Sequence, residues 1–309
     1  MRLLYLGTGP FAVPTLAGLA ASSHEVAAVV TQPDRVARGG RRHPHPLREA
    51  AEEAGLPVLQ PDAINTDEAI VAMAEHEADI IVTASYGQFL GKRVRQLTPH
   101  GAINLHGSIL PKYRGAAPVQ WAVWNRETES GVSVFQIERG MDTGPVFHVA
   151  RCPVHVTDTS ADLFERLAEL AAAACLHVLD AIAAGNAVAV PQNESEATHA
   201  RKLTKDDGVI DWTQPAERVR GQVLATQPWP KPSTVWHAED GDRVLILPSV
   251  TPCDGVGQPG EVLAATDTLV VACGEGAIRI DRVQVAGKTA TDSAAFLNGH
   301  RVSVGDRLG

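Results

Sequence analysis

The stretch AINLHGSILP (residues 102–111) begins as a strand and breaks at Gly107 into a loop. Side chains along a strand alternate between two faces, so Asn104 and His106 share one face. A strand buried in a parallel sheet usually consists of Val, Ile and Leu without interruption. Two polar side chains at its carboxyl end are unusual, and open α/β sheets bind ligands where their strands end. The stretch therefore predicts an open α/β sheet with a site beside Gly107.

A second polar loop, ERGMDTGP (residues 138–145), follows another strand-like run at residues 131–136. Taken singly, an Asn and a His near a strand end most often bond to nearby backbone groups. Asp142, set in a glycine-rich loop, offers a carboxylate that would orient His106 and favour its charged form. We predict that Asn104, His106 and Asp142 form one catalytic site.

Strand and helix patterns alternate through residues 1–185. They begin with an apolar strand at residues 2–6, and they end in a long Ala- and Leu-rich helix that starts after Thr159 and stops at Gly185. Such alternation is typical of α/β domains. We predict a Rossmann-like, open and mostly parallel sheet wrapped by helices.

The composition changes after Gly185. Residues 186–204 form an extended connection that is polar in its second half, which we predict to be a linker. Residues 205–309 contain short apolar runs separated by Gly, Asp and Pro turns, a spacing typical of small barrels. The chain is predicted to hold a catalytic domain at residues 1–185 and a smaller all-β, OB-like barrel domain at residues 205–309.

The composition limits the classes of function. At 309 residues, with 44% hydrophobic and 20% charged residues, the chain is typical of a two-domain globular protein. A net charge of -9 gives no general attraction to nucleic acid, so any RNA contact requires a local basic patch. Four scattered cysteines form no CxxC pair, which argues against a zinc site or a disulfide framework. Without a signal-peptide pattern or a membrane-spanning run, we expect a cytoplasmic protein with no metal site.

A local basic patch occurs at residues 34–46, where glycines and prolines interrupt any periodicity. Its arginines include Arg38, Arg41 and Arg42. A charge run is usually a solvated surface, and that interpretation stays open. The functional interpretation is a loop that binds a phosphodiester backbone, with an affinity that falls as salt is added.

The first turn of the chain offers a different chemistry. Gly7, Gly9 and Ala12 satisfy a loose G-x-G-x-x-A dinucleotide fingerprint, and Asp34 lies near the expected distance for a ribose contact. Pro10, however, removes a backbone donor that pyrophosphate oxygens would need. This favours an ordinary strand-to-helix turn over a nicotinamide or flavin site.

Two longer motifs carry a family resemblance. INLHGSILPKYRGAAPVQWA and, beyond the next strand, GMDTG closely resemble the folate-dependent formyltransferases, whose acceptors include methionyl-tRNA, glycinamide ribonucleotide and sugar nucleotides. The resemblance implies a Rossmann-like domain, a 10-formyltetrahydrofolate donor and catalysis by Asn104, His106 and Asp142. It also implies that the donor binds one turn and one loop, formed by Ser108, Ile109, Leu110 and Pro111 and by Tyr86, Gly87, Gln88, Phe89 and Leu90. Ser108 would otherwise be a candidate acyl-transfer nucleophile, but the G-x-S-x-G elbow is absent.

Other motifs resemble the tRNA-acting members of this family. TQPDR with GRR and a following proline is similar to their basic insertion, which implies that Arg38, Arg41 and Arg42 contact the acceptor end of initiator tRNA. The motifs KLTKDDGVIDW, PWP and GEGAIRI resemble their carboxy-terminal domain, and Phe11 is implied to contact the methionyl side chain. The implied activity is formyl transfer to methionyl-initiator tRNA by a monomer. A sugar-nucleotide formyltransferase is the alternative, and a binding protein with a degenerate site is a third interpretation that the intact trio opposes.

The chemistry of such a reaction assigns roles to the trio. An unperturbed α-amine titrates near ~7.7–8.0, so a neutral fraction exists at physiological pH and strong base activation is unnecessary. The difficult step is the tetrahedral adduct, whose oxygen gains negative charge. Asn104 and a protonated His106 would donate to that oxygen, and one such donor is typically worth ~3–4 kcal/mol. Asp142 would stabilise the imidazolium and accept the ammonium proton through water.

Overall fold

The computed structural model describes residues 1–36, 42–43, 45–238 and 241–309. It divides into two compact units. The first comprises Met1–Pro118, Glu129–Pro153 and Phe164–Ala200, and the second comprises Val119–Thr128, Val154–Leu163 and Arg201–Gly309. Most of the expected linker thus groups with the first unit, and the predicted domain limits at residues 185 and 205 stay predictions.

The strands of the first unit are, in chain order, β1 Arg2–Gly7, β2 Glu25–Val30, β3 Arg35–Val36, β4 Arg42–His43, β5 Val58–Leu59, β6 Ile80–Ala84, β7 Ala102–His106, β8 Arg114–Gly115, β9 Glu129–Gln136, β10 Val146–Pro153 and β11 His199–Ala200. The main sheet has the order β10-β9-β7-β6-β1-β2-β5. Strands β7 to β5 in this order are parallel, whereas β9 and β10 are antiparallel additions. This arrangement confirms the predicted Rossmann-like, mostly parallel sheet.

Helices cover this sheet because its strands are apolar on both faces. Along β1, Leu3 and Tyr5 point to one face and Leu4 and Leu6 to the other, and all four are fully buried. The helices are α1 Val13–Ala20, α2 Pro46–Glu53, α3 Asp67–Ala74, α4 Lys92–Arg95, α5 Pro118–Trp124 and α6 Ser160–Ala183, the last two crossing the division between the units. Within the described residues, no helix combines the length and the apolar composition needed to cross a membrane.

The long helix α6 begins where the sequence predicts. The Thr159 hydroxyl accepts a hydrogen bond from the Asp162 amide at 3.3 Å, and the Thr159 amide donates to the Asp162 carboxylate at 2.8 Å. This reciprocal pair satisfies two amides at the helix start. The helix is followed by Gly185 at φ +70°, a conformation that favours glycine.

The second unit is built on an antiparallel sheet of order β12-β13-β16-β15-β14, with β17 paired to β16. Its strands are β12 Ser233–Ala238, β13 Gly241–Cys253, β14 Val262–Ala265, β15 Leu269–Ala272, β16 Ala277–Val285 and β17 Thr291–Asp292. The last residues connect the two edge strands, because Leu308 bridges to Trp236 while Arg307 bridges to Glu261. The curled sheet confirms the predicted barrel-like domain.

Two helices accompany this sheet that the sequence patterns did not predict. They are α7 Ala216–Ala225 and α8 Ser293–Gly299. Val219 and Val223 of α7 and Phe296 of α8 are buried in the same core cluster as the sheet residues Leu245 and Ile280. The unit is therefore a curled sheet whose core is completed by helices.

Candidate active site

The carboxyl ends of the parallel strands β1, β2 and β6 meet at one edge of the main sheet. The loops that follow are bonded to one another there. The Thr8 hydroxyl and the Gln32 side-chain amide both donate to the Tyr86 carbonyl, each at 3.1 Å. The neighbouring strand β7 ends at the same edge with His106. The structure thus places the candidate site where an open parallel sheet is expected to bind ligands.

The Asn104 amide has a defined orientation. Asn104 pairs with Thr83 across the parallel strands β7 and β6, and the Thr83 hydroxyl lies 2.6 Å from Asn104 Oδ1. The hydroxyl has one hydrogen, and the Ile103 carbonyl oxygen lies farther away at 3.2 Å, so the Asn104 oxygen is the preferred acceptor. Asn104 is half-buried, and its Nδ2 amine makes no hydrogen bond within the described part of the chain. The side chain keeps two N–H donors for a bound molecule.

His106 is buried at the end of β7, with its side chain 7% exposed. Its Nε2 lies 2.9 Å from the carbonyl oxygen of Tyr113. Because a carbonyl only accepts, Nε2 carries the proton, and Nδ1 is the atom left for chemistry. The ring of Phe135 meets the imidazole edge to face at 6.4 Å, which helps to hold the ring plane.

Asp142 lies in the connection between β9 and β10, and its Oδ2 atom is 3.7 Å from Nδ1 of His106. The same oxygen accepts a hydrogen bond from the Gly115 amide at 2.8 Å. The Asp142 backbone has φ +54°, a left-handed conformation that Asp tolerates better than most residues. The carboxylate is therefore held by its backbone and by Gly115, facing the free imidazole nitrogen.

These three residues form a set of polar groups around one edge of the sheet. Asn104 offers two N–H donors, and a protonated His106 offers one at Nδ1, next to a carboxylate. Such a set can stabilise an oxygen that becomes negative and can accept a proton from a reacting nitrogen. The arrangement suits the addition of an amine to a carbonyl group.

The turn after β7 is held by hydrogen bonds inside the first unit. The Ser108 hydroxyl donates to the Lys112 carbonyl at 2.7 Å. The buried Ser133 hydroxyl donates to the Ser108 carbonyl at 2.7 Å and accepts from the Leu110 amide at 3.0 Å. Leu110 is buried and is joined to Pro111 by a cis peptide bond, and Ile109 is half-buried. The Ser108 hydroxyl thus supports the turn, which disfavours the nucleophile interpretation.

The loop after β6 divides into buried and exposed residues. Burial of Tyr86 among apolar side chains raises the pKa of its hydroxyl to about 12. Gly87 has φ +87°, and the Gln88 side chain accepts from the Ile64 amide at 2.8 Å. Leu90 is buried, whereas Phe89 is 61% exposed and its carbonyl accepts from Asn65 at 2.8 Å. The Phe89 side chain therefore lies at the surface, whereas the loop that contains it is fixed by hydrogen bonds.

The residues proposed from the family resemblance to contact tRNA are placed only in part. Phe11 is buried and packs edge to face on Phe164 of α6, with ring centroids 5.4 Å apart. The backbone of residues 35–36 pairs with that of residues 42–43 as the short ladder of β3 and β4. Arg38 and Arg41 lie outside the described residues, and Arg42 is described only as part of β4.

The dinucleotide interpretation of the first turn finds no support. The Asp34 carboxylate is 7% exposed, forms an ion pair with Arg48 and accepts from the Gln60 amide at 3.1 Å. A Cβ at Gly7 would lie 2.7 Å from the Ala12 Cβ, so this glycine permits close packing of strand and helix. The turn is a packing feature, as the alternative interpretation predicted.

Sequence reasoning missed several residues that support the trio. Thr83 had a signal, because it is a polar residue in the otherwise apolar run IIVTA next to the strand of Asn104. Ser133 had a similar signal in β9, opposite His106. Arg114 and Gln192 had none, because their partners are distant in sequence.

The sequence is similar to known protein families over most of its length. Residues 1–179 match the formyl transferase family model, and residues 202–301 match the model for the formyl transferase C-terminal domain. The chain belongs to the formyl transferase family. A methionyl-tRNA formyltransferase from Acidiphilium cryptum (strain JF-5) is 42% identical over 311 residues, covering 100% of both chains. One from Desulfotalea psychrophila (strain LSv54 / DSM 12343) is 40% identical over 305 residues, covering 98% of this chain and 94% of its own.

Solved structures share the fold of this formyl transferase. The N-formyltransferase from Helicobacter canadensis, solved with folinic acid and dTDP-3-aminofucose, has a TM-score of 0.65 at 16% identity and covers 91% of this chain and 98% of its own. HypX from Aquifex aeolicus in complex with tetrahydrofolic acid has a TM-score of 0.60 at 20% identity and covers 96% of this chain and 47% of its own. At these identities the similarity concerns the fold.

Proposed function

We propose that this formyl transferase moves the formyl group of 10-formyltetrahydrofolate to the free amino group of methionyl-initiator tRNA. The observation that carries the proposal is the full-length match to relatives named methionyl-tRNA formyltransferase, at 42% and 40% identity over 100% and 98% of the chain. The level of identity matters more than the coverage, because a formyltransferase with another acceptor also matches 94% of this chain. The sugar formyltransferase WlaRD, for comparison, is 16% identical.

The donor is proposed to bind the turn at Ser108, Ile109, Leu110 and Pro111 and the loop at residues 86–90. Both segments follow neighbouring parallel strands, which supports a shared crevice. The half-buried amine of Asn104, which lacks a partner within the described residues, supports a bound carbonyl beside it. When bound, this co-substrate supplies the formyl carbon that the amine attacks.

In the proposed mechanism, Asn104 donates from Nδ2 to the formyl oxygen as that oxygen becomes negative. His106 can assist only from Nδ1 of its protonated ring, because Nε2 is already bonded to the Tyr113 carbonyl. Asp142, 3.7 Å from Nδ1, stabilises the positive charge and accepts the ammonium proton, directly or through water. The bond between the formyl carbon and N10 of the donor then breaks, and tetrahydrofolate leaves with a proton on N10. One preorganised donor to such an oxygen is worth ~3–4 kcal/mol.

The acceptor choice is tested by giving the purified enzyme 10-formyltetrahydrofolate with either methionyl-initiator tRNA or an amino-sugar nucleotide. We expect the higher kcat/KM with tRNA, and we expect that value to fall steeply with salt because phosphate contacts release counterions. A preference for the amino-sugar nucleotide would overturn the proposal in favour of a sugar-nucleotide formyltransferase.

The proposed tRNA contact by the basic loop needs a charge-matched control. One variant changes Arg38, Arg41 and Arg42 to Ala. The control changes Arg93, Arg151 and Arg282 to Ala, which removes the same charge from side chains that are 65%, 53% and 52% exposed. We expect the loop variant to raise the KM for tRNA and to flatten its salt dependence, with the control near wild type. Equal effects of both variants would show that only the net charge matters.

A further inference from the structure

Gln192 lies in the segment expected to be a linker, yet its side chain is bonded on both sides. Its Nε2 donates to the carbonyl oxygens of Asp142 at 2.8 Å and Gly144 at 2.7 Å. Its Oε1 accepts from Nε and Nη2 of Arg114, at 3.1 and 2.8 Å. Carbonyls only accept and a guanidinium only donates, so the chemistry of the partners defines the orientation of this amide. Glutamine alone among the standard residues of this size meets both demands.

Arg114 is in turn fixed by a second residue of the same segment. Its guanidinium donates to both carboxylate oxygens of Glu194, at 2.8 and 2.7 Å, and the Arg114 side chain is 3% exposed. These hydrogen bonds raise the pKa of Arg114. A buried arginine with two hydrogen bonds to one carboxylate has a well-defined position. Arg114 therefore fixes the Oε1 end of Gln192, while the Nε2 end bonds the Asp142 loop.

The segment is also paired on both sides of Gln192, with a strand of the main sheet before it and with the separate strand β8 after it. Val190 and Val146 exchange two backbone hydrogen bonds of 2.8 Å. Further along, β11 pairs in parallel with β8, which contains Arg114 and Gly115. Gln192 therefore lies in the chain between two stretches of paired backbone, residue 190 and residues 199–200. Its side chain bonds the loop of Asp142.

Asp142 needs such support because of its own geometry. Its φ of +54° is a sparsely populated conformation for a residue with a side chain. The carboxylate faces His106 only while this backbone and the Gly115 amide keep it there. A displacement of about 1 Å in a catalytic group can lower a rate by about 100-fold.

We propose that Gln192, supported by Arg114 and Glu194, is a positioning residue that holds the Asp142 backbone so that the carboxylate stays beside His106. This inference rests on the proposed function, because Asp142 is assigned its role there. Gln192 contacts no reacting atom in this scheme and acts only through the Asp142 loop.

Three variants distinguish loss of the hydrogen bonds donated by Gln192 Nε2 from a change in side-chain size or charge. Gln192→Glu keeps the size and the acceptor for Arg114 but cannot donate to the two carbonyls. Gln192→Met removes the polar contacts without adding charge. Asn193→Asp is the matched control, since it adds the same charge one residue away. Its Oδ1 atom still accepts from Ser195, and it loses only the exposed hydrogen bond from Nδ2 to the Glu196 carboxylate at 3.0 Å.

Hydrogen exchange of the intact enzyme without substrates tests the contact itself. We expect the Gly115 amide, which donates to the Asp142 carboxylate, and the Val146 amide, which donates to the Val190 carbonyl, to exchange at least tenfold faster in Gln192→Glu and Gln192→Met. The amides of β1 and β6 should be unchanged, and Asn193→Asp should behave like the wild type. Unchanged exchange at Gly115 and Val146 in both Gln192 variants would overturn the proposal. This result does not depend on the acceptor, so it stands or falls separately from the proposed function.

Kinetics then test the role. In formyl transfer to methionyl-tRNA, we expect kcat of Gln192→Glu to fall by about 10- to 100-fold while both KM values change less than threefold. In a cycle with Asp142→Ala, the second substitution should add little, because both act on one group. Additive losses, or a loss confined to KM, would contradict the positioning role.

Discussion

Thr83 and Asn104 face each other on the neighbouring parallel strands β6 and β7, and the Thr83 hydroxyl lies 2.6 Å from Asn104 Oδ1. Thr83 is 3% exposed, so this contact is made away from water. It decides which end of the amide is available to a bound molecule. The orientation of the Asn104 amide, and so the direction of its N–H donors, therefore depends on β6 as well as on β7.

Removing this hydroxyl should reduce catalysis without unfolding the sheet. Thr83→Val keeps the shape but cannot donate, so we expect kcat to fall by about tenfold, in line with about 1–1.5 kcal/mol for one hydrogen bond. Thr83→Ser keeps the hydroxyl and should retain most of kcat. Steady-state kinetics measure both, and a Thr83→Val enzyme with wild-type kcat would show that the orientation of Asn104 does not depend on Thr83.

The Ser108 hydroxyl supports a turn and is not expected to be a nucleophile. Ser108→Ala loses one hydrogen bond, to the Lys112 carbonyl, so we expect kcat/KM to fall by less than tenfold. Mass spectrometry of wild-type enzyme quenched during turnover should find no formylated protein. A loss of activity by a factor of about 10³ or more, together with formylated Ser108, would establish covalent catalysis.

Gly115 is expected to be sensitive to a single added methyl group. Its φ is +119°, and a Cβ there would lie 2.7 Å from the Ala200 carbonyl oxygen. Gly115→Ala should strain the pairing of β8 with β11 by about 1–3 kcal/mol and lower kcat, since the Gly115 amide bonds Asp142. Gly9→Ala is the control, because nothing lies within 4 Å of its added Cβ. Equal unfolding midpoints and kcat values for both variants would contradict this view.

The second unit should carry a pH-dependent contribution to stability at Asp207. Hydrogen bonds from Arg201, together with those from the Thr204 amide and hydroxyl, lower the pKa of Asp207 from 3.8 to about 2. A carboxylate with a lowered pKa stabilises the folded state above its unfolded pKa. That contribution is lost as the pH falls from about 4 towards 2.

Asp207→Asn should therefore destabilise the protein by about 1–2 kcal/mol at pH 7, a value reduced from the full linkage term because Arg201 is largely exposed. The difference from wild type should shrink as the pH falls below 4. Urea unfolding across this pH range measures it, with Asp206→Asn as a neighbour of equal charge change. A difference that stays constant down to pH 2 would show that the stabilisation does not come from the charged form of Asp207.

The part of the site that could be predicted from sequence is the part with local signals. Asn104 and His106 interrupt an apolar strand, and Asp142 lies in a glycine-rich loop, so each differs from its neighbours in a visible way. The alternation of strands and helices is likewise local, because burial of one or both faces imposes a period on the sequence. These features were enough to predict the sheet and to propose the trio.

The supporting contacts could not be predicted in the same way. Gln192 stands in a polar stretch that looks like any exposed connection, and its partners at residues 114, 142 and 144 are set by the folded chain. The helix α7 did carry a signal, since Val219 and Val223 are spaced for one helix face. This signal is weak because short strands surround the helix on both sides in the sequence.

Single-turnover formyl transfer from 10-formyltetrahydrofolate to methionyl-initiator tRNA by the wild type, Asn104→Ala and Asp142→Ala tests the proposed site most directly. We expect transfer by the wild type and rates at least about 100-fold lower in both variants, with unfolding midpoints close to wild type. Near-normal rates in the folded variants would contradict the assignment of the site.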